Sequence, residues 1–217
     1  MVSNYETTKR KMRKVFLSYD QEALVRRFAL CEEGNFLQFP FMGGRCRIDR
    51  VQGTVECSDT MEEIFHEADY NEAMTVYDLL CWSRPEAVPA GRYVNMESLS
   101  PIGRSPVEST SRFFGAEAAL FDHRAQQLQE ALAAMGGILG GKGDAAAEIS
   151  VFQELRVLFR FWNSDEDFPP EIQFLWDQNV LSYMHYETVW FANHAFVDRL
   201  RRLMDRLPIQ DAGADRH

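Results

Sequence analysis

The chain has no basic surplus, no long apolar run and no Cys-x-x-Cys pair, and each absence removes a class of function. Its 33 Asp and Glu outnumber 23 Lys and Arg, for a formal net charge of −10 and no nucleic-acid partner, since such partners need a basic footprint. No segment approaches the ~18 apolar residues of a membrane span, so no membrane partner is expected. The first residues are polar and basic, without the apolar core of a secretory leader, and a cytoplasmic location is expected. Cys31, Cys46, Cys57 and Cys81 have neither zinc nor iron–sulfur spacing, so no metal or cofactor is expected. They are expected to be reduced, mostly buried thiols.

What is present suits a globular domain. Hydrophobic residues make up 46% and charged residues 26%, with 16 Phe and 4 Trp to fill a core. The charge is uneven: Met1 to Arg50 carries 10 Lys and Arg against 6 Asp and Glu, so the remainder sums to −14. The basic segment 1–17 is expected to form a solvated helix face, followed by one domain over 18–207 and a disordered tail over 208–217.

Periodicity predicts an α+β fold: a small, mostly antiparallel sheet, made of an N-terminal meander plus a later strand, packed against amphipathic helices. Ser18 and Gln21 fit a capping box opening a helix to about Glu33, with Gly34 and Asn35 ending it. Phe36 to Cys57 alternates as a meander with a turn at Gly43-Gly44 and another at Gly53. Pro40 cannot donate to a ladder, so the first strand is expected at an edge. Asp69 and Glu72 fit a second capping box, before a helix carrying Met74, Tyr77 and Cys81. Tyr93 to Leu99 reads as a short extended piece and Pro101 to Pro106 as a loop. Phe114, Ala118, Phe121, Ala125, Leu128, Leu132 and Met135 recur at 4-3 spacing, which predicts one helix with a buried stripe ended by Gly136-Gly137. Leu155 to Trp162 alternates as a strand, and a last helix runs from about Glu187 to Leu207.

Four constellations have a chemical reading. Gly136 to Gly143 matches G-x-x-x-x-G-K, but Gly143 stands where a P-loop needs Ser or Thr, and the loop follows a helix instead of opening one. A helix cap and loop is the better reading. Asp165-Glu166-Asp167, with Asp177 and Glu187, offers oxygens to a hard cation, but a solvated turn whose acids cap the next helix is the better reading, with Asp167 placed to cap it and Pro169 and Pro170 in the first turn. Arg156 and Arg160 share a strand face with Trp162, suited to clamping an anion or to pairing with acids on a neighbouring strand. The histidines form no local pair: Asp122 and His123 point apart on a helix, and no G-x-S-x-G elbow is present.

The Gly-Gly turn, Tyr93 to Leu99, Phe114-Gly115, Lys142-Gly-Asp144, Arg160-Phe-Trp162, Asp165 to Pro170 and Leu175-Trp-Asp177 together resemble an uncharacterised prokaryotic family, domain of unknown function 3786, known mostly from anaerobes. The resemblance spans Ser18 to about Leu203 and is most specific from Trp162 to Asp177. It implies a soluble intracellular protein and supplies no reaction. Some relatives carry an added cysteine motif for an iron–sulfur cluster; this chain has none. Arg156, Arg160, Trp162, Asp165, Asp177 and Glu187 are expected to approach one concave surface that binds a small anionic ligand or a protein partner. The alternative is a metal-dependent enzyme using the carboxylates of 165–187.

Overall fold

The computed structural model describes residues 4–62, 64–100 and 114–207, so the expected loop from Pro101 to Pro106 and the tail after Leu207 lie outside the described residues. Among the described residues, two five-stranded antiparallel sheets are set among six α-helices. The expected α+β class holds, with the meander and the later strand in separate sheets.

The first sheet has strand order β1 (Cys31–Glu33), β2 (Phe36–Phe41), β3 (Gly44–Asp49), β4 (Val55–Ser58) and β5 (His66–Glu67). Alternation sets its faces: Cys46 and Ile48 are buried on β3 while Arg45, Arg47 and Asp49 are not. The first tight turn is Met42-Gly43, one residue earlier than expected, and both residues have positive φ. A Cβ on Gly43 would lie 2.1 Å from the Met135 carbonyl oxygen, so only glycine fits this turn. The strand carrying Pro40 is not the expected edge, because β1 lies outside it; β1 pairs only with residues 36–38, and Pro40 falls beyond that pairing.

The helix expected over 18–33 is shorter. Asp20, not Ser18, caps α2 (Gln21–Phe28) by accepting from the Ala23 amide, and Ala29 closes it in the left-handed region. Cys31 to Glu33 then leave as a strand, and Gly34-Asn35 form a hairpin turn because pairing with β2 outweighs helix extension. The thiol expectation is also corrected: Cys46 and Cys57 face each other on β3 and β4, fully buried and joined in a disulfide. Cys31 and Cys81 are free.

The second sheet has order β6 (Tyr93–Asn95), β10 (Glu171–Asp177), β9 (Leu155–Trp162), β8 (Ala145–Phe152) and β7 (Ile138–Leu139). Phe159 and Phe174 on its inner face meet Phe196 of α6 (Tyr186–Arg206), with centroids 5.4 Å apart. The buried Trp176 indole donates to Asn193 of α6 at 2.9 Å. The sheets join where the Met42 amide donates to Val151 and Phe39 meets Phe152 edge-on. The Asp69–Glu72 capping box is present at the start of α3 (Tyr70–Cys81), and α3 packs between α1 (Asn4–Leu17) and α6. α1 is not wholly solvated, because Lys9 is buried and donates to the Ala68 carbonyl at 3.0 Å.

The seven-residue stripe divides between α4 (Gly115–Phe121) and α5 (Ala125–Ala134). Every member except the half-buried Ala125 is buried. The break is at Asp122-His123, where His123 has φ +56. The glycine-rich segment carries β7 and turns into β8, with no helix after it, so its context is not that of a P-loop. No helix among the described residues is long and apolar enough to cross a membrane.

Candidate functional site

The end of the second sheet gathers the segments on which the family resemblance is strongest. β9 runs out at Trp162, the chain turns through 163–170, and β10 returns with Glu171 paired to Trp162. Asp165 organises this turn by accepting from the Asp167 and Phe168 amides at 2.9 and 2.8 Å. Asp144, just before β8, accepts from the Asn163 amide at 2.7 Å. The result is an open cleft of about 580 Å³ lined by Asp144, Trp162, Asp165, Phe168 and Glu171. Phe168 is 70% exposed on its wall. The element after the acidic turn is a strand, so the expected helix-capping role of Asp167 does not hold.

The rim of this cleft was not legible in sequence. Asp122 accepts from both the amide and the hydroxyl of Ser164, at 2.9 and 2.7 Å. These bonds, the Ser164 amide first, hold the Asp122 carboxyl below its ordinary range. The His123 amide donates to Asn163 at 2.7 Å, and the His123 ring lies 3.4 Å from Ser164 Oγ. A nucleophilic triad is not formed: the Ser164 hydroxyl is bonded to the carboxylate, and carboxylate and hydroxyl both approach His123 Nε2. Asp122 and His123 meet because the helix breaks there, which the 4-3 spacing concealed.

The six expected residues are only partly brought together. Arg156, Arg160 and Trp162 lie on the outer face of β9, half-buried. Arg156 pairs with Glu148 of β8 at 2.9 Å, the cross-strand alternative that its position allowed. Arg160 reaches Gln173 of β10 at 3.3 Å, while its buried Nε has no partner among the described residues. Asp165 lines the cleft beyond Trp162. Asp177 is buried and spent on backbone amides, those of Ala90, Gly91 and Asn179 at 2.8–2.9 Å. Glu187 is exposed in the first turn of α6, the helix on the inner face, away from the outer face of β9. Sequence adjacency placed these last two in the site; strand pairing and helix docking separate them.

A denser constellation lies elsewhere. Asp59, His66 and Glu72 present ligand atoms within 4.8 Å of one another, the one such group among the described residues. Arg202 donates to Asp59 at 2.7 Å and to Glu72 at 2.8 Å, and Arg206 donates to Asp59 at 2.8 Å. Arg199, fully buried, sits 3.6 Å from both carboxylates and donates to the Phe41 and Met42 carbonyls at 2.5 and 3.0 Å. Burial alone would raise the Glu72 carboxyl, but His66, Arg199 and Arg202 hold it at about 2. A divalent cation would have to displace Arg202 and then face the Arg199 charge. The residues therefore do not fit a metal, and they act as an ion-pair lock between α6, α3 and the first sheet.

No curated protein and no solved structure matches the chain. A family profile matches residues 20–199, and it covers the strands and turns that build the cleft. The chain belongs to the family described as Domain of unknown function (DUF3786).

Proposed function

We propose that the protein is a binding or accessory protein whose cleft at the end of the second sheet takes a basic side chain of a protein partner. The observation that carries this reading is the cleft itself. Trp162 and Phe168 offer aromatic faces, Asp144, Asp165 and Glu171 offer charge, and no basic residue among the described residues lines it. Aromatic faces and carboxylates together recognise a guanidinium or ammonium by cation–π and ionic contact. The net charge of −10 supports the same preference by steering basic partners toward the chain. An anion held on the sheet face is less well supported, because Arg156 and Arg160 already engage Glu148 and Gln173. The metal-enzyme reading is less well supported still, since Asp165, Asp177 and Glu187 do not converge.

The test is calorimetric titration with a tetra-arginine peptide, with a tetra-glutamate peptide as reference. Saturable, salt-sensitive binding of the basic peptide alone is expected, weakened about tenfold in Trp162→Ala through loss of the cation–π face. Asp165→Asn keeps the turn acceptor, removes the charge and should also weaken binding. Absence of binding at low salt, or equal binding of both peptides, would overturn the reading.

A further inference from the structure

A second pocket, of about 160 Å³, lies at the opposite end of β9 from the cleft. Three loops converge on it. The β8–β9 hairpin is tied to the end of α2 by Gln153, which has φ +53 and donates through its amide to the Phe28 carbonyl at 2.8 Å. The loop after α3 is tied to the turn before α6 by the Arg84 amide, which donates to the Ser182 carbonyl at 2.8 Å. Arg27 Nη2 donates to the Ser83 carbonyl at 2.5 Å and lies 3.3 Å from its hydroxyl. The pocket between them is lined by Arg27, Ser83, Arg84, Glu154 and Tyr183.

Three observations concern what this pocket holds. Arg27 is anchored through one nitrogen and by its stack over Phe28, at 4.5 Å, so its Nε and Nη1 lack a partner among the described residues. Arg84 has no side-chain partner among the described residues, and Glu154 pairs with neither arginine. Tyr183 lines the pocket, and its hydroxyl has no partner among the described residues. The Tyr183 hydroxyl opens onto the pocket, where it offers a donor to what enters it. Glu154 stands in the wall and Glu86 acts on Arg27, so the unpaired N–H groups of Arg27 and Arg84, and not a surplus of charge, suit the pocket to an anion.

We propose that this pocket binds a small oxoanion, the phosphate or carboxylate group of a small molecule, between Arg27 and Arg84 with Tyr183 as hydroxyl donor. Guanidiniums suit this class because their planar N–H pairs match two oxygens at once. Burial, with Glu154 nearby, pushes the Tyr183 phenol up to about 12, so it remains a donor throughout the neutral range. The volume admits one such group and little else, which sets the pocket apart from the larger acidic cleft.

The experiment is calorimetric titration of the full chain with inorganic phosphate and, separately, acetate, against chloride as background. Saturable binding of at least one oxoanion is expected; phosphate alone identifies a phosphoryl ligand, acetate alone a carboxylate. Tyr183→Phe keeps the buried ring, removes the hydroxyl and should weaken binding about tenfold, as should Arg84→Ala, whose side chain supports nothing else. Arg26→Ala, exposed on the same helix and outside the pocket, should bind as wild type. No saturable heat with either anion, or an Arg84→Ala chain of unchanged melting temperature that binds as wild type, would overturn the proposal.

Discussion

At the scale of single residues, the chain concentrates its charge where it is most costly to leave unpaired. Glu72 is 1% exposed and serves three roles: capping-box partner of Asp69, acceptor for Arg202, and neighbour of His66. Its folded carboxyl is held at about 2 against an ordinary 4.5. A depressed carboxylate contributes stability that is fully present above its unfolded value and is lost as pH falls toward the folded one. The denaturant midpoint should therefore drop between pH 4.5 and 2. Glu72→Gln should cost about 3–5 kcal/mol at neutral pH, by leaving buried guanidiniums uncompensated, and should flatten that acid limb. Acid limbs of equal slope in both chains would show that Glu72 does not carry the effect. Cys81 illustrates the opposite case: burial, with Asp78 nearby, pushes its thiol up to about 12, which leaves it an inert packing residue.

At the scale of elements, the stripe from Phe114 to Met135 shows how a correct burial pattern can hide a break. Heptad spacing records which residues face the core but not whether the backbone between them stays helical. Asp122-His123 interrupts the helix, and the bonds from Ser164 and the His123 amide hold the interruption in place. Both halves remain buried, so Phe121→Ala and Leu128→Ala should each cost about 2–5 kcal/mol. Midpoints unchanged in chemical denaturation would place that face in solvent. β9 shows the contrary: its alternation was legible from Leu155 to Trp162 because every inward residue is apolar and each outward one is Arg, Leu or Trp. β8 and β10 were missed. β8 opens on three alanines, which favour neither period, and β10 carries Leu175-Trp176 next to Asp177, which blurs the alternation.

At the scale of the whole molecule, two sheets and six described helices share one continuous core running from Phe16 on α1 to Met204 on α6. The Cys46–Cys57 bond closes a loop of sequence separation 11 inside the first sheet. Opening it should lower unfolding free energy by about 3 kcal/mol, chiefly through the freed unfolded chain. Since neither cysteine is exposed, the comparison requires reduction in denaturant, followed by refolding under reductant and a second denaturation curve. Coincident curves would show that the thiols are not linked.

The sequence by itself determined the α+β class, the inward faces of β3, β9 and α6, the Asp69 cap and the acidic turn after Trp162. These follow from local periodicity and from short-range hydrogen bonds, both written within a few residues. Only the tertiary structure decided that Asp144 and Trp162 share a cleft and that Asp177 serves loop amides. It likewise decided that Asp59, Glu72 and three arginines of α6 meet, and that Arg27, Arg84 and Tyr183 surround one pocket. Those partners lie tens to more than a hundred residues apart, as with Arg202 and Asp59 at a separation of 143. Strand register and helix docking bring them together, and neither leaves a local period in the chain.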